Sequence, residues 1–108
     1  MADLDFDLTV ARDGRGVCRL SLRGELDLGT AERLERALAG ADGDVLLDLC
    51  ELTFMDSTGV RLLLEAAERF GPRLRIVAPR SGDVRVTIEE TGIAPLLPLV
   101  EPGTVEPS

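Results

Sequence analysis

Histidine, lysine, tryptophan and tyrosine are all absent from this 108-residue sequence, and only two cysteines are present. The absence of histidine excludes the Ser-His-Asp and Cys-His nucleophile systems and removes the usual zinc ligands. Two cysteines, Cys18 and Cys50, are too few for a disulfide scaffold or a four-cysteine zinc site. The chain therefore lacks most ordinary catalytic equipment, and we expect neither enzymatic activity nor a cofactor.

Positive charge and long apolar runs are also scarce. Twelve arginines stand against 20 acidic residues, which gives a net charge of −8. Nucleic-acid binders usually present a basic face, so we expect no nucleic-acid partner. No apolar run approaches the roughly 18 residues that cross a bilayer. The acidic start, MADLDFD, differs from the basic start of a signal peptide. We therefore expect a cytoplasmic protein with no membrane partner.

The apolar residues that are present suffice for one compact domain. The chain has the length of a single domain and is 44% hydrophobic and 30% charged, a balance typical of globular proteins and not of disordered chains. Its last eight residues include two prolines and a glycine. We predict one domain over residues 1–100 and an unstructured tail over residues 101–108.

Two alternating segments at the start predict an antiparallel β-hairpin. Apolar and polar residues alternate through Leu4–Val10 and Cys18–Arg23, as in strands buried on one face. A two-residue turn at Asp13-Gly14 would set Leu8 opposite Arg19 and so mix the two faces. We predict instead an odd-length loop centred on Gly14. This register pairs Val10 with Cys18, Leu8 with Leu20, Phe6 with Leu22, and Asp5 with Arg23.

The remaining sequence alternates between helical and strand patterns. Helical spacing after the cap Thr30 predicts a helix that runs to about Ala39 and ends at Gly40. Residues Gly24–Asp27 are predicted to leave the second strand. The other predicted elements are a strand buried on both faces over Val45–Leu49, a loop over Cys50–Asp56, a helix over Ser57–Phe70 that Gly71-Pro72 ends, a strand over Leu74–Ala78, a helix over Ser81–Thr91, and an edge strand over Leu96–Val100.

This order of elements predicts an α/β fold. A mixed β-sheet begins with the antiparallel hairpin and continues through right-handed β-α crossovers packed with helices. One hydrophobic core is enough for such a chain, so we predict a single domain.

One segment has the features of a binding or modification site. Leu52–Val60 (LTFMDSTGV) joins a buried strand to a helix, where open α/β sheets commonly bind ligands. Ser57 is predicted at the helix N-terminus, where free backbone N–H groups and the helix dipole favour a phosphate. Gly59 would permit close backbone approach at the same turn. The alternative, which the local sequence favours, is that Asp56 or Ser57 only caps the helix.

Three separated stretches resemble the STAS-domain anti-sigma factor antagonists. They are GELDLGTAERLERAL, VLLDLCELTFMDSTGVRLLLEA, and LRIVAP followed by ETGI. The resemblance covers roughly residues 6–100, with the motifs in order and at the family's spacing. It implies the STAS-like fold. The family usually ends in a longer C-terminal helix, whereas this sequence predicts a tail that contains proline and glycine, so we do not expect the partner contacts made by that helix.

The resemblance also implies roles for particular residues. In the family, the serine directly after the aspartate of D-S-[ST]-G is phosphorylated, which matches Ser57, with Thr58 as a secondary acceptor. The family's acidic position in the loop after the second strand matches Asp27. Arg61, one helical turn from Ser57, is placed to touch the same partner. The predicted partner-binding residues are therefore Asp27, Asp56, Ser57, Thr58, Gly59 and Arg61.

The function implied by the resemblance is a protein-binding switch. Unmodified, the domain would bind an anti-sigma factor with serine kinase activity and so free a sigma factor. Phosphorylation of Ser57 would stop this binding, and a phosphoserine phosphatase would restore it. Two alternatives stay open. One is a STAS adaptor or scaffold subunit of a stress-signalling or lipid-transport assembly. The other is a small hydrolase that uses Asp56 and Ser57, although no histidine could relay the proton.

The cysteines have ordinary structural explanations. Cys18 lies on the apolar face of a predicted strand, which indicates core packing. Cys50 ends a predicted buried strand and would be reactive only if exposed, but no adjacent lysine or histidine would lower its pKa.

The remaining charged groups predict no site of their own. Three carboxylates, Asp27, Asp48 and Asp56, could suggest a Mg²⁺ site, but Asp48 is predicted within a strand, and we expect no metal. A stripe on the second helix predicts a solvated face, with an ion pair between Glu65 and Arg69. The stripe consists of Arg61, Glu65, Glu68 and Arg69.

Overall fold

The structure is a computed structural model that describes residues 6–102. Its strands and helices follow the predicted order. The strands are β1 (Phe6–Arg12), β2 (Cys18–Leu26), β3 (Val45–Met55), β4 (Leu74–Val77) and β5 (Leu99–Val100), and the helices are α1 (Ala31–Ala39), α2 (Ser57–Phe70) and α3 (Asp83–Glu90). Of the tail predicted over residues 101–108, residues 103–108 lie outside the described range.

The five strands form one mixed sheet in the order β1-β2-β3-β4-β5. The β1–β2 pair is antiparallel, and the other three pairs are parallel. Each parallel pair is joined through a helix, as parallel neighbours require. The sheet therefore confirms the predicted hairpin followed by β-α crossovers. It also places β5 at an edge, where Pro98 is tolerated and its carbonyl accepts a hydrogen bond from the Ile76 N–H (2.9 Å).

The hydrophobic core is built on a row of side chains that crosses the sheet. Leu20, Leu47 and Ile76 are direct neighbours on β2, β3 and β4, and all three are fully buried. Burial of each such side chain contributes about 1.5–3 kcal/mol. The three helices add Leu34, Leu63 and Ile88 to the same cluster, again with no exposed surface.

The register of the hairpin differs by two residues from the prediction. Leu8 pairs with Leu22, where the sequence predicts Leu20. The prediction of an odd-length loop is confirmed, because apolar side chains still face apolar side chains. Val10 nevertheless stays 59% exposed, since β1 is an edge strand and only Phe6, at its start, is fully covered.

The same shift changes the charged pair beside the hairpin. Arg23 faces Asp7 and approaches its carboxylate to 3.6 Å, so the predicted pairing with Asp5 is wrong. Asp5 itself lies outside the described residues. Both partners of the observed pair are more than half exposed, and such a pair contributes little to stability.

A single glycine explains the shift. The turn spans Asp13–Gly16, with the Gly16 N–H donating to the Asp13 carbonyl (3.1 Å), and Gly16 has a φ of +86°. A three-residue hairpin loop needs a left-handed residue at its last position, and Gly16 occupies it. The loop is therefore centred on Arg15 and not on Gly14.

The second and third strands run further than predicted. β2 continues to Leu26 and β3 to Met55, so the predicted loops over Gly24–Asp27 and Cys50–Asp56 are largely strand. Two register shifts occur within the β2–β3 pairing. Because bulges interrupt the period of two, the buried residues in these segments do not alternate in the sequence.

The helix boundaries agree with the prediction at α1 and α2. α3 begins at Asp83, two residues after the predicted Ser81, because Gly82 has a non-helical φ of +96°. At the last strand, a 3₁₀ turn occupies Ala94–Leu96 and shortens β5. Within residues 6–102, no helix combines the length and hydrophobicity that crossing a membrane requires.

Candidate functional site

The predicted site segment lies where β3 meets α2, beside the loop that follows β2. The Asp56 N–H donates to the Leu26 carbonyl at 3.2 Å, which joins the two segments at the carboxyl ends of neighbouring parallel strands. The structure therefore brings Asp27 to the same edge of the sheet as Asp56 and Ser57.

Asp56 is the residue that caps α2. Its backbone is extended, and its Oδ1 accepts hydrogen bonds from the N–H groups of Thr58 (2.9 Å) and Gly59 (3.3 Å). Its carbonyl accepts the first intrahelical bond, from the Val60 N–H at 3.1 Å. The capping interpretation is thus confirmed for Asp56, and Ser57 is the first helical residue.

Ser57 is exposed, whereas Thr58 is half-buried. Within residues 6–102, the Ser57 side chain has no hydrogen-bond partner. Its hydroxyl is therefore open to an incoming group from solvent, and Thr58 is the less accessible of the two hydroxyl residues.

The expectation of free N–H groups at this helix end is only partly correct. The Asp56 carboxylate already occupies the Thr58 and Gly59 N–H groups, two of the donors that would otherwise meet a phosphate. The helix dipole would stabilise a phosphoryl group on Ser57, but the adjacent Asp56 carboxylate would repel it. The site is therefore not a preformed phosphate cradle.

Asp27 organises the loop before α1 in a similar way. Its Oδ1 accepts hydrogen bonds from the N–H groups of Gly29 (3.0 Å) and Thr30 (3.2 Å). Thr30 occupies the predicted cap position, but its hydroxyl donates to the Glu25 carbonyl (2.8 Å) and accepts from the Asp27 N–H (3.0 Å). Thr30 therefore stabilises the loop and does not cap the helix through its side chain.

Gly59 has a packing role that the sequence did not indicate. It is buried, and a Cβ at this position would overlap the Met55 side chain and lie 3.1 Å from Leu26 Cδ2. The close approach that we expected of Gly59 is therefore to core side chains and not to an anion.

Comparison with known proteins identifies the family. The family model described as "Mlab, STAS domain" matches residues 9–100. An anti-sigma factor antagonist from Mycobacterium paratuberculosis has a crystal structure that is 31% identical, with a TM-score of 0.76 over 87% of this chain and 84% of that one. The chain belongs to the STAS-domain anti-sigma factor antagonist family.

Two further relatives of this STAS domain carry the same description. The anti-sigma-F factor antagonist RsfB of Mycobacterium tuberculosis is 35% identical over 81 residues, which cover 71% of this chain and 66% of RsfB, slightly less than two thirds. The structure of the anti-sigma factor antagonist SpoIIAA in its unphosphorylated form is 25% identical, with a TM-score of 0.68 over 88% of this chain and 87% of SpoIIAA. Both relatives are named as antagonists of anti-sigma factors, which is a regulatory role.

In this STAS domain, Arg61 links the two helices beside the site. Its Nη1 donates to Glu65 Oε2 at 2.9 Å, and its Nη2 lies 3.9 Å from Glu35 Oε2 on α1. The predicted ion pair between Glu65 and Arg69 is wrong, because Glu65 binds Arg61 and Arg69 donates to the Leu38 carbonyl (3.1 Å). Arg61 remains half exposed, one turn from Ser57, as predicted.

The sequence did not single out two apolar residues at the same edge of the sheet. Leu28 is 78% exposed in the loop between Asp27 and Thr30, and Phe54 is 41% exposed near the end of β3. Single exposed apolar side chains are common on protein surfaces, so it is their position at this edge, and not their exposure, that makes Leu28 and Phe54 candidates for partner contact. Leu28 does not interrupt a periodic pattern, and Phe54 lies beyond the strand that the sequence predicts. The exposure of both residues at this edge is therefore visible only in the fold.

The cysteines lie in unlike environments. Cys18 is buried in the core, as predicted. Cys50 is exposed, and partial burial of its sulfur together with the neighbouring Asp48 carboxylate raises the pKa of the thiol to about 11. Cys50 is therefore protonated at neutral pH and is a poor nucleophile.

Asp48, one of the carboxylates considered for Mg²⁺, is held within the sheet. It lies in β3, as predicted, and accepts from Arg19 at 2.8 Å. Burial opposes its ionisation, but hydrogen bonds from the Cys50 N–H and from Arg19 outweigh that effect and lower the pKa of Asp48. Over the described residues, no three acidic or thiol side chains converge as a metal site would require.

Proposed function

We propose that this STAS domain is an anti-sigma factor antagonist controlled by phosphorylation of Ser57. In the unphosphorylated form it binds an anti-sigma factor that is also a serine kinase, and a sigma factor is released. Phosphorylation of Ser57 ends this binding, and a phosphoserine phosphatase restores it. The chain is a substrate of the kinase, which supplies ATP and Mg²⁺, and it acts in the cytoplasm.

The observation that carries this proposal is the state of Ser57. Its side chain is exposed and has no hydrogen-bond partner among the described residues, while the adjacent Asp56 provides the cap that α2 needs. A kinase can therefore modify the hydroxyl without breaking a contact of the fold. The half-buried Thr58 is less suited, which supports Ser57 as the main acceptor and Thr58 as a secondary one.

The residues around Ser57 form the proposed partner surface. Leu28 and Phe54 supply apolar contact, and Asp27, Asp56 and Arg61 supply charge at the edge of that contact. Apolar anchors with a polar rim are the usual composition of a specific protein interface. Thr58 lies on the same turn. Gly59, which is buried, contributes by allowing α2 to pack closely against Met55.

The proposed switch works through charge. A phosphoryl group adds about −1.5 to −2 charges beside the carboxylate of Asp56. An interface that accepts a neutral hydroxyl would then meet clustered negative charge, and like-charge contact costs several kcal/mol of binding free energy. Because a loss of about 1.4 kcal/mol of binding free energy already weakens binding tenfold, this repulsion is sufficient to dissociate the complex.

Kinase treatment followed by site mapping tests the proposal. The purified chain is incubated with candidate anti-sigma factor kinases and ATP, and the peptide that contains Ser57 and Thr58 is analysed by mass spectrometry. We expect one phosphoryl group on Ser57. Ser57→Ala should abolish the modification and keep kinase binding, whereas Thr58→Ala should leave it nearly unchanged. The reverse pattern would assign the switch to Thr58.

Release of the sigma factor is the second measurement. The wild-type chain and Ser57→Ala should both displace a sigma factor from its anti-sigma factor, while the phosphorylated wild type should not. A chain that is neither modified nor active in displacement would instead be an adaptor subunit. Hydrolysis of a small ester or phosphoester by the purified chain would indicate the hydrolase alternative.

A further inference from the structure

A concave site lies at the end of β3 that is opposite to Ser57. It is a cavity of about 290 Å³ between the β1–β2 turn, the start of β3 and the turn before β4. Apolar residues, among them Val17 and Leu46, form part of its lining. Five of the chain's twelve arginines also line it: Arg12, Arg15, Arg19, Arg73 and Arg75. We call this site the arginine groove.

The arginine groove is locally positive in a strongly acidic chain. Among the described residues, the carboxylates that line it are Asp13 and Asp44, against five guanidinium groups, and two of those groups also pair with Asp48 and Asp42 outside the lining. The chain as a whole carries a net charge of −8. The guanidinium groups still outnumber the carboxylates at this site, and a local excess of positive charge favours an anionic ligand.

Three of the five guanidinium groups are held in place by the fold. Arg19 donates to Asp48 Oδ2 (2.8 Å), Arg73 donates to the Gly43 carbonyl (2.7 Å), and Arg12 donates to the Gly16 carbonyl (2.9 Å). Two of these contacts are to neutral carbonyl oxygens, which orient the guanidinium group. Arg12 also pairs with the exposed Asp42 (3.1 Å).

Two groups remain: Arg15 is exposed in the turn near Asp13, and Arg75 is the group on the sheet that is left for a ligand. Arg19, Leu46 and Arg75 are direct neighbours across β2, β3 and β4, so the two arginines flank Leu46 on one face of the sheet. The Arg75 guanidinium has no hydrogen bond or ion pair with any residue between 6 and 102. The aliphatic stems of both arginines can cover Leu46, which is a structural role for the stems and not for the charged groups.

We propose that the arginine groove binds a small phosphate-bearing anion. A phosphoryl group has three acceptor oxygens and close to two negative charges, so it can accept from two guanidinium groups at once, whereas a lone monovalent carboxylate compensates only one charge. The cavity is at the small end of the range for ligand sites, which suits a ligand of the size of pyrophosphate or a simple organic phosphate. This inference is independent of the proposed function, because the groove shares no residue with the surface around Ser57.

An NMR titration of the full chain with pyrophosphate tests the proposal, with acetate at matched ionic strength as the control anion. We expect saturable shifts of the backbone amides of Val17, Leu46 and Arg75, and none at Ser57. Acetate should cause no saturable shift. Arg75→Gln should weaken pyrophosphate binding about tenfold or more, because it removes a charge-assisted hydrogen bond.

Arg36→Gln is the matched control variant. Arg36 is exposed on α1 outside the groove, and the substitution changes the net charge by the same amount. It should leave binding unchanged. If Arg75→Gln does not give a folded spectrum, Arg15→Gln in the exposed turn replaces it.

Four results would each overturn the assignment. They are equal weakening by the Arg75 and Arg36 substitutions, shifts confined to the N-terminus of α2, equal saturable binding of acetate, and no saturable shift with pyrophosphate. The first would mean that only net charge attracts the anion, and the second that it binds beside Ser57.

Discussion

Replacing Ser57 by aspartate should remove most partner binding while leaving the domain folded. A negative charge at a helix N-terminus is favourable by about 0.3–1 kcal/mol. Here the gain is smaller, because the Asp56 carboxylate already holds the Thr58 and Gly59 N–H groups and repels a second carboxylate by about 1 kcal/mol at ~4 Å in water. The two effects nearly cancel, so stability should change by less than about 1 kcal/mol. For a domain of this size, that corresponds to a melting temperature within about 8 °C of the wild type.

Ser57→Asp should lower the affinity for the proposed anti-sigma factor far more than it lowers the stability of the domain. Like-charge contact at the interface costs several kcal/mol, so the dissociation constant should rise at least about tenfold. Thermal unfolding followed by circular dichroism and calorimetric titration measure the two effects separately. Ser57→Asn, which has nearly the same shape and no charge, is the matched control and should bind better than Ser57→Asp. Added salt should restore part of the affinity of the aspartate variant alone.

Two outcomes would refute this reasoning. If Ser57→Asn loses as much affinity as Ser57→Asp, the loss comes from side-chain size and not from charge. If Ser57→Asp binds as tightly as the wild type, a negative charge at this position does not control the complex. An unfolded Ser57→Asp protein would contradict the stability estimate, because the structure offers the new carboxylate no buried contact to disrupt.

Four other substitutions or reactions test the packing and electrostatics of the domain. Gly59→Ala should lower the free energy of unfolding by about 1–3 kcal/mol through overlap with Met55. In a Met55→Ala background the cost should be smaller, since the close contact with Leu26 remains, and an unchanged cost there would contradict the overlap with Met55. Asp56→Ala should cost about 0.5–2 kcal/mol in urea unfolding, while Asp56→Ser should keep most of the cap. Leu20→Asp should cost about 4 kcal/mol or more, and a wild-type melting temperature would mean that this row is not core. Iodoacetamide should alkylate the exposed Cys50 slowly at about pH 8 and faster as the pH nears its pKa of about 11; the rate of an ordinary exposed cysteine would disprove the raised pKa.

The sequence predicts the elements that have an undisturbed period and a clear boundary. α2 is an example, since its apolar positions follow helical spacing and Asp56 and Gly71 mark its ends. The core row through Leu20, Leu47 and Ile76 was equally visible, because each residue lies in an apolar or alternating stretch. These signals are local, so no knowledge of the partner strands is needed to read them.

The predictions were wrong for residues whose backbone conformation or burial is determined by pairing with a neighbouring strand. Gly14 and Gly16 are equally good turn residues in the sequence, and only the hydrogen bond to the Asp13 carbonyl shows that Gly16 takes the left-handed position. The ends of β2 and β3 were missed for a related reason. Register shifts in their pairing leave Leu52 and Met55 buried three residues apart, which is not a strand period.

The candidate site was predicted in position but not in its detailed chemistry. Asp27, Asp56, Ser57 and Arg61 reach the same edge of the sheet, which the strand-to-helix order already implies. Which of Asp56 and Ser57 caps α2 could not be decided, since both are good cap residues. Leu28 was not predicted at all, because its exposure depends on how the loop folds around Asp27.

The two aspartates at this edge determine what kind of switch the site can support. Asp27 and Asp56 each use one carboxylate to hold two backbone N–H groups of the segment that follows. Those donors are therefore already satisfied before Ser57 is modified, and a phosphoryl group there has no open backbone cradle to fold into. Since Ser57 is exposed, the charge of a phosphoryl group there would remain at the surface, on the edge of the sheet that also carries the exposed Leu28 and Phe54. We therefore expect the proposed phosphorylation to act on the complex and not on the fold.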